Sequence, residues 1–260
     1  MASDSPIRFA IFAAPRTGSN LLCSLLNSHP RILCHHGLFN PAGIHYALDH
    51  RSGDIDCGSM AERDLDPEGF LARVWRQSAG KQAIGFKLNR GENEVAASAI
   101  LRDPTVRKIL LDRRNRVKTY VSERIAAETG AWECYGTNLP PGPKVRVEPE
   151  ALREHIAGNQ QYYAQIEREL RASGQPFLRI FYESLAPGAG DQERVLAFLG
   201  CSPATLIPRS AKRSPDNLRE SISKFDELAG ALRGTEVEQE LYRLDSPRFP
   251  AESRAWVGVH

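Results

Sequence analysis

Near its start the chain reads Ile7-Arg-Phe-Ala-Ile-Phe-Ala-Ala14, then Pro15-Arg16-Thr17-Gly18-Ser19-Asn20, then Leu21-Leu-Cys-Ser-Leu-Leu-Asn-Ser-His29. The first stretch is a nearly continuous apolar run that stops at a proline, the pattern of a strand buried on both faces in a parallel sheet. Leu21, Leu22, Leu25 and Leu26 recur at helical spacing, so a helix starts at Gly18 or Ser19 and ends at His29-Pro30. A strand, tight turn and helix in that order aim free backbone N–H groups and the positive end of a helix at one point, which attracts oxyanions. Gly18 lets a ligand approach the backbone closely, Thr17 and Ser19 add hydroxyls, and Arg16 adds a fixed positive charge. The same layout also occurs without a ligand, with Ser19 as a plain N-cap. A nucleoside-triphosphate site would need G-x-x-x-x-G-K-[ST], which this loop lacks. ATPase and kinase readings are therefore disfavoured, whereas a nucleotide bearing sulfate or phosphate fits.

Four more strands follow: Ile32 to Cys34, Ala83 to Lys87, Lys108 to Asp112 and Phe177 to Phe181. Helical patterns lie between them at Pro67 to Gln77, Glu92 to Leu101, Val117 to Glu128 and Pro149 to Ala172, and after them at Gln192 to Leu199, Asp216 to Leu232 and Thr235 to Tyr242. Strands alternating with helices predict an α/β fold of three layers, a mainly parallel central sheet flanked by helices. Ala47 to Met60 and Thr129 to Val147 read as loops, neither as a linker, so residues 1–260 form a single domain.

The composition bounds the function. Hydrophobic residues make up 41% and charged residues 25% of 260, and the formal net charge is +2, so nothing pulls the whole chain toward nucleic acid or a membrane. The cysteines (Cys23, Cys34, Cys57, Cys134 and Cys201) are odd in number and form no C-x-x-C pair, which argues against disulfides and structural zinc and for a reducing compartment. The apolar run Phe9 to Ala14 is too short for a signal or a membrane span. The expected location is the cytoplasm, with no metal and no stable membrane insertion. The oligomeric state is not legible.

A second basic strand-to-helix stretch runs Ile109-Leu-Leu-Asp-Arg-Arg-Asn-Arg-Val-Lys-Thr-Tyr-Val-Ser122. Between Arg102 and Arg124 eight Lys or Arg face three acids. Arg114 at the strand end and Ser122 on the helix would turn toward one phosphate; the alternative is a solvated basic face. Together the two stretches resemble the sulfotransferases that use 3′-phosphoadenosine 5′-phosphosulfate (PAPS), which have a Pro-[Lys/Arg]-[Ser/Thr]-Gly-[Ser/Thr] loop and an Arg-Asn-Pro…Ser motif. Here Arg116 replaces the proline. The resemblance is nearest the bacterial carbohydrate sulfotransferases of the nodulation-factor and glycolipid type. It extends to Leu26-Asn27-Ser28-His29-Pro30, Ile84-Gly85-Phe86-Lys87, Tyr182-Glu183-Ser184-Leu185 and the segment Arg209 to Leu228.

The resemblance implies a P-loop-like fold and transfer of a sulfuryl group from PAPS to an acceptor hydroxyl on a carbohydrate, a lipid-linked sugar or a small alcohol, leaving adenosine 3′,5′-bisphosphate. Arg16, Thr17, Gly18, Ser19 and Asn20 would hold the 5′ end, Arg114 and Ser122 the 3′-phosphate, and Arg209, Lys212 and Arg213 would close over the nucleotide. Arg16 and Lys87 would stabilise charge at sulfur. The family's usual Glu base falls on Gly37 in Cys34-His35-His36-Gly37-Leu38-Phe39-Asn40, so His36, or His35 beside it, becomes the expected base. Trp132 and Tyr135 would stack on the acceptor or pin their loop. The competing readings are a P-loop-type nucleotide kinase and a nucleotide-binding relative without activity.

Overall fold

The computed structural model describes residues 5–132, 142–209, 216–244 and 246–249. The apolar run forms strand β1 (Ile7–Ala13), followed by helix α1 (Ser19–Asn27) and strand β2 (Ile32–Gly37). Helices α2 (Met60–Leu65) and α3 (Pro67–Arg76) lead to β3 (Ala83–Asn89), α4 (Glu94–Arg102) and β4 (Val106–Asp112). Then come α5 (Arg116–Thr129), α6 (Pro149–Ala172), β5 (Phe177–Phe181), α7 (Asp191–Phe198) and α8 (Phe225–Leu232).

The five strands form one parallel sheet in the order β2-β3-β1-β4-β5. β1 is central, which is why its run is apolar on both faces. Ala10 and Phe12 pack with α3, α4 and α6, while Phe9, Ile11 and Ala13 pack with α1 and α7. Each fully buried Leu, Ile or Phe in these layers contributes about 1.5–3 kcal/mol. A third apolar cluster joins α5, α6 and α8. The connection from β1 to β2 passes β3 in one direction, and that from β3 to β4 passes β1 in the other. The carboxyl ends of β1 and β3 therefore flank the switch point where parallel α/β sheets bind ligands.

Several boundaries differ from those read in the sequence. β2 runs on to Gly37, with a bulge between His35 and Gly37, so both histidines belong to the strand and not to a loop. β3 continues past Lys87 to Asn89. A short helix, α2, follows the expected loop, closed by a Ser59–Glu62 capping box. The continuous helix expected from Asp216 to Leu232 is two pieces, a 3₁₀ turn Leu218–Glu220 and α8. Ile222 pairs with Val145 and Lys224 takes a left-handed φ of 55°, which breaks the helix between them. Within Thr235 to Tyr242 only the 3₁₀ turn Glu238–Leu241 forms. Among the described residues no helix is long and apolar enough to cross a membrane.

Candidate functional site

The loop after β1 is held from beneath. Ala14 N–H donates to Tyr163 Oη on α6 (2.8 Å), that hydroxyl donates to Leu111 O (2.5 Å), and Thr17 Oγ1 donates to Ala14 O (2.8 Å). Two loop residues are left-handed: Arg16 at φ 63° and Gly18 at φ 96°. Gly18 is required twice over, because a Cβ there would stand 2.3 Å from Tyr182 Cδ2. α1 therefore begins at Ser19 with Gly18 as its N-cap, without a side-chain cap and without an acid in its first turn. Ser19 is not the N-cap; its hydroxyl meets Asn89 Oδ1 at 3.4 Å. An uncapped helix start leaves N–H groups in need of acceptors.

Arg16 crosses to the second motif. Its Nε donates to Ser122 Oγ (3.0 Å) on α5 and its Nη1 to Trp132 O (2.5 Å). Arg113, which the sequence reading passed over, is nine-tenths buried. It lies 4.5 Å over the Tyr182 ring and donates from Nη1 to the carbonyl of Arg16 (3.3 Å), while its buried Nε has no partner among the described residues. Arg114 turns instead toward Ser184 Oγ (3.1 Å) and stacks 4.1 Å from the Phe181 ring, so the structure brings Ser122 to Arg16 and not to Arg114. A cleft of about 450 Å³ lined by Thr17, Arg113, Arg114, Arg116 and Arg179 opens beside them. Arg116, at the start of α5, is engaged by Glu240 (2.6 Å) and Glu236 (2.7 Å), which fastens the C-terminal segment to this motif.

On β3, Lys87 is only 6% exposed and has no hydrogen-bond or ion-pair partner among the described residues. It shares its strand face with Asn89, whose side chain meets Ser19, so its side chain lies on the α1 side of the sheet.

The histidines of β2 divide. His35 accepts from Ala47 N–H at Nδ1 (3.1 Å), and burial, with His50 nearby, pushes its pKa down to about 3. His36 Nδ1 lies 3.3 Å from Asn20 Oδ1, which brings it to the first turn of α1, but its ring is fully buried. Arg209 is held on the flank of α1, its N–H on Ser24 Oγ and its guanidinium on Asp49. Lys212, Arg213, Cys134 and Tyr135 lie outside the described residues. Trp132, half exposed, contributes its carbonyl to Arg16.

No family model matches the chain. The chain is 29% identical over 259 residues to nodulation protein H of Rhizobium tropici, covering 95% of this chain and 97% of that one. It is 25% identical over 230 residues to nodulation protein H of Rhizobium meliloti (86% and 90% covered). Among solved structures, a sulfotransferase from Alicyclobacillus acidocaldarius aligns at 17% identity and a TM-score of 0.44, with 92% of this chain and 96% of that one covered. The chain thus sets its two strand-to-helix motifs in one parallel sheet and is similar, nearly end to end, to nodulation protein H.

Proposed function

We propose that the chain transfers a sulfuryl group from PAPS to a hydroxyl of a carbohydrate or glycolipid, working as one domain in the cytoplasm. The observation that carries the reading is the uncapped start of α1 on the sheet face that buries the unpartnered Lys87. An anion with oxygens on both sides satisfies the helix amides and the ammonium together. A phosphosulfate is such an anion.

In this reading the amides of Thr17 to Asn20 hold the 5′-phosphate and the sulfuryl oxygens. Lys87 neutralises charge as it develops on the bridging oxygen. Arg16 and Ser122, already 3.0 Å apart, take the 3′-phosphate with Arg114 or Arg113 from the second motif. Arg209 approaches from the flank of α1, with Lys212 and Arg213 beyond it in sequence. Sulfuryl transfer places entering and leaving oxygens in line, so positioning and fixed charge supply most of the rate, as in phosphoryl transfer. The residues named need no metal for this chemistry.

The test is release of adenosine 3′,5′-bisphosphate from PAPS in the presence of a panel of p-nitrophenyl glycosides. Product dependent on enzyme and glycoside supports the reading. Tight binding of the bisphosphate with no transfer to any acceptor supports the inactive relative instead.

A further inference from the structure

We propose that Glu92 is the proton acceptor for the attacking hydroxyl, a role that rests on the transfer reading above. Glu92 follows β3 at the carboxyl edge of the sheet, beside the switch point. A Cβ built on Gly37, at the end of β2, would lie 3.7 Å from Glu92 Oε1. The carboxylate thus stands against the exit of β2, where Arg63 fixes the following segment by donating to the carbonyls of Leu38 (3.0 Å), Asn40 (2.9 Å) and Gly43 (3.3 Å).

Its orientation is set by Asn89, which donates its backbone N–H to Oε2 (2.8 Å) and its Nδ2 to Oε1 (2.7 Å). Asn89 Oδ1 in turn meets the hydroxyl of Ser19, the first residue of α1 (3.4 Å). A hydrogen-bonded path therefore runs from the anion loop to the carboxylate, and Lys87 lies two residues before Asn89 on the same strand face. Each carboxylate oxygen keeps acceptor capacity beyond these bonds. Glu92 is partly exposed, whereas His35 and His36 are fully buried, so it is the group an incoming hydroxyl can reach.

The acceptor oxygen attacks sulfur and its proton passes to a Glu92 oxygen. The bond from sulfur to the 5′-phosphate oxygen breaks, and its electron pair stays on the leaving adenosine 3′,5′-bisphosphate. A sulfate ester and a protonated Glu92 remain, and the carboxyl returns its proton to water.

The experiment follows bisphosphate release from PAPS, with p-nitrophenyl glycosides or water as acceptor, for wild type, Glu92→Gln, Glu92→Ala and His36→Ala. Glu92→Gln should lower kcat by roughly 10²–10⁴, with the KM for PAPS held within about threefold. Formate should restore part of the turnover of Glu92→Ala, which a purely structural turn residue would not permit. Wild-type turnover in Glu92→Gln, or a loss confined to His36→Ala, would overturn the assignment while leaving the transferase reading intact. A kcat loss in Glu92→Gln matched by an equal loss of PAPS affinity, with no formate rescue, would reduce Glu92 to a latch on its own turn. Wild-type protein that releases no bisphosphate in any arm would fail the transferase reading, and Glu92 with it.

Discussion

Arg16 Nε donates to Ser122 Oγ across 3.0 Å, and this one bond ties the loop after β1 to the inner face of α5. The two residues come from motifs far apart in sequence, and each was read separately as a phosphate ligand. The Arg16 backbone is left-handed, an unusual state for a residue with a Cβ, and its carbonyl is held there by Arg113. Strain kept at a ligand loop is a form of pre-organisation.

Arg16→Gly separates the two roles. Glycine accepts the left-handed backbone without the penalty of about 1–2 kcal/mol that Arg16 bears. The variant should therefore keep its Tm within a few degrees of wild type. It should nevertheless lose roughly 10- to 150-fold in affinity for adenosine 3′,5′-bisphosphate, the equivalent of a charge-assisted bond of about 1.5–3 kcal/mol. Calorimetric titration beside thermal unfolding checks both halves.

The neighbouring arginines should behave differently. Arg113→Ala removes a nine-tenths buried guanidinium that stacks on Tyr182 and braces the Arg16 carbonyl. It should destabilise the fold by about 2–3 kcal/mol and weaken all nucleotides alike. Arg114→Ala leaves an exposed contact and should cost little stability, but it should weaken the 3′,5′-bisphosphate more than AMP. Urea unfolding and competition between the two nucleotides distinguish them.

Gly18→Ala meets both a positive φ and the Tyr182 ring. The expected loss is roughly 2–5 kcal/mol, from about 1–2 for the backbone and 1–3 for overpacking. In a Tyr182→Ala background the overpacking part should vanish, so a double-mutant cycle in urea should show coupling of about 1 kcal/mol or more.

The sequence is most readable where one physical cause dominates. β1 and α1 follow from an apolar run and a helical leucine spacing, because both are buried in the sheet sandwich. The break at Lys224 was hidden, since Ile222 is drawn out of the helical pattern by its pairing with Val145, which is tertiary and not local. The α2 capping box, Ser59 with Glu62, was legible as S-x-x-E but the helix it opens is only six residues long. In the site, the tight turn between β1 and α1 was plain from its residue types. The partner of Ser122 was not, because it is Arg16, which reaches α5 from the loop after β1 only once the sheet is assembled. Nor was the approach of Glu92 to Gly37, which exists only because β2 and β3 are neighbours in the sheet.

His35 gives the fold an acid limit. Its pKa falls from an ordinary value of 6.5 to about 3 because burial excludes the charged ring. The unfolded chain then binds a proton that the native state does not, so stability is complete above about pH 6.5 and is lost as pH falls toward 3. At pH 5 the loss from this group is on the order of 2 kcal/mol. Urea midpoints for His35→Gln should be lower than wild type at pH 7 but flatter between pH 7 and pH 5. Parallel curves for the two proteins would show that another group sets the slope.

The proposed donor site takes a nucleotide with both a 5′-phosphosulfate and a 3′-phosphate. The direct measurement compares adenosine 3′,5′-bisphosphate, AMP and ATP with magnesium, by titration and thermal shift on the same wild-type protein. The bisphosphate, without magnesium and at about a hundred times its Kd, should add roughly 2.7 kcal/mol, or roughly 5–10 °C in Tm. AMP should bind at least about tenfold more weakly, for want of the charge-assisted bonds to the 3′-phosphate. Equal binding of AMP and the bisphosphate, or stabilisation by ATP–magnesium alone, would contradict the account.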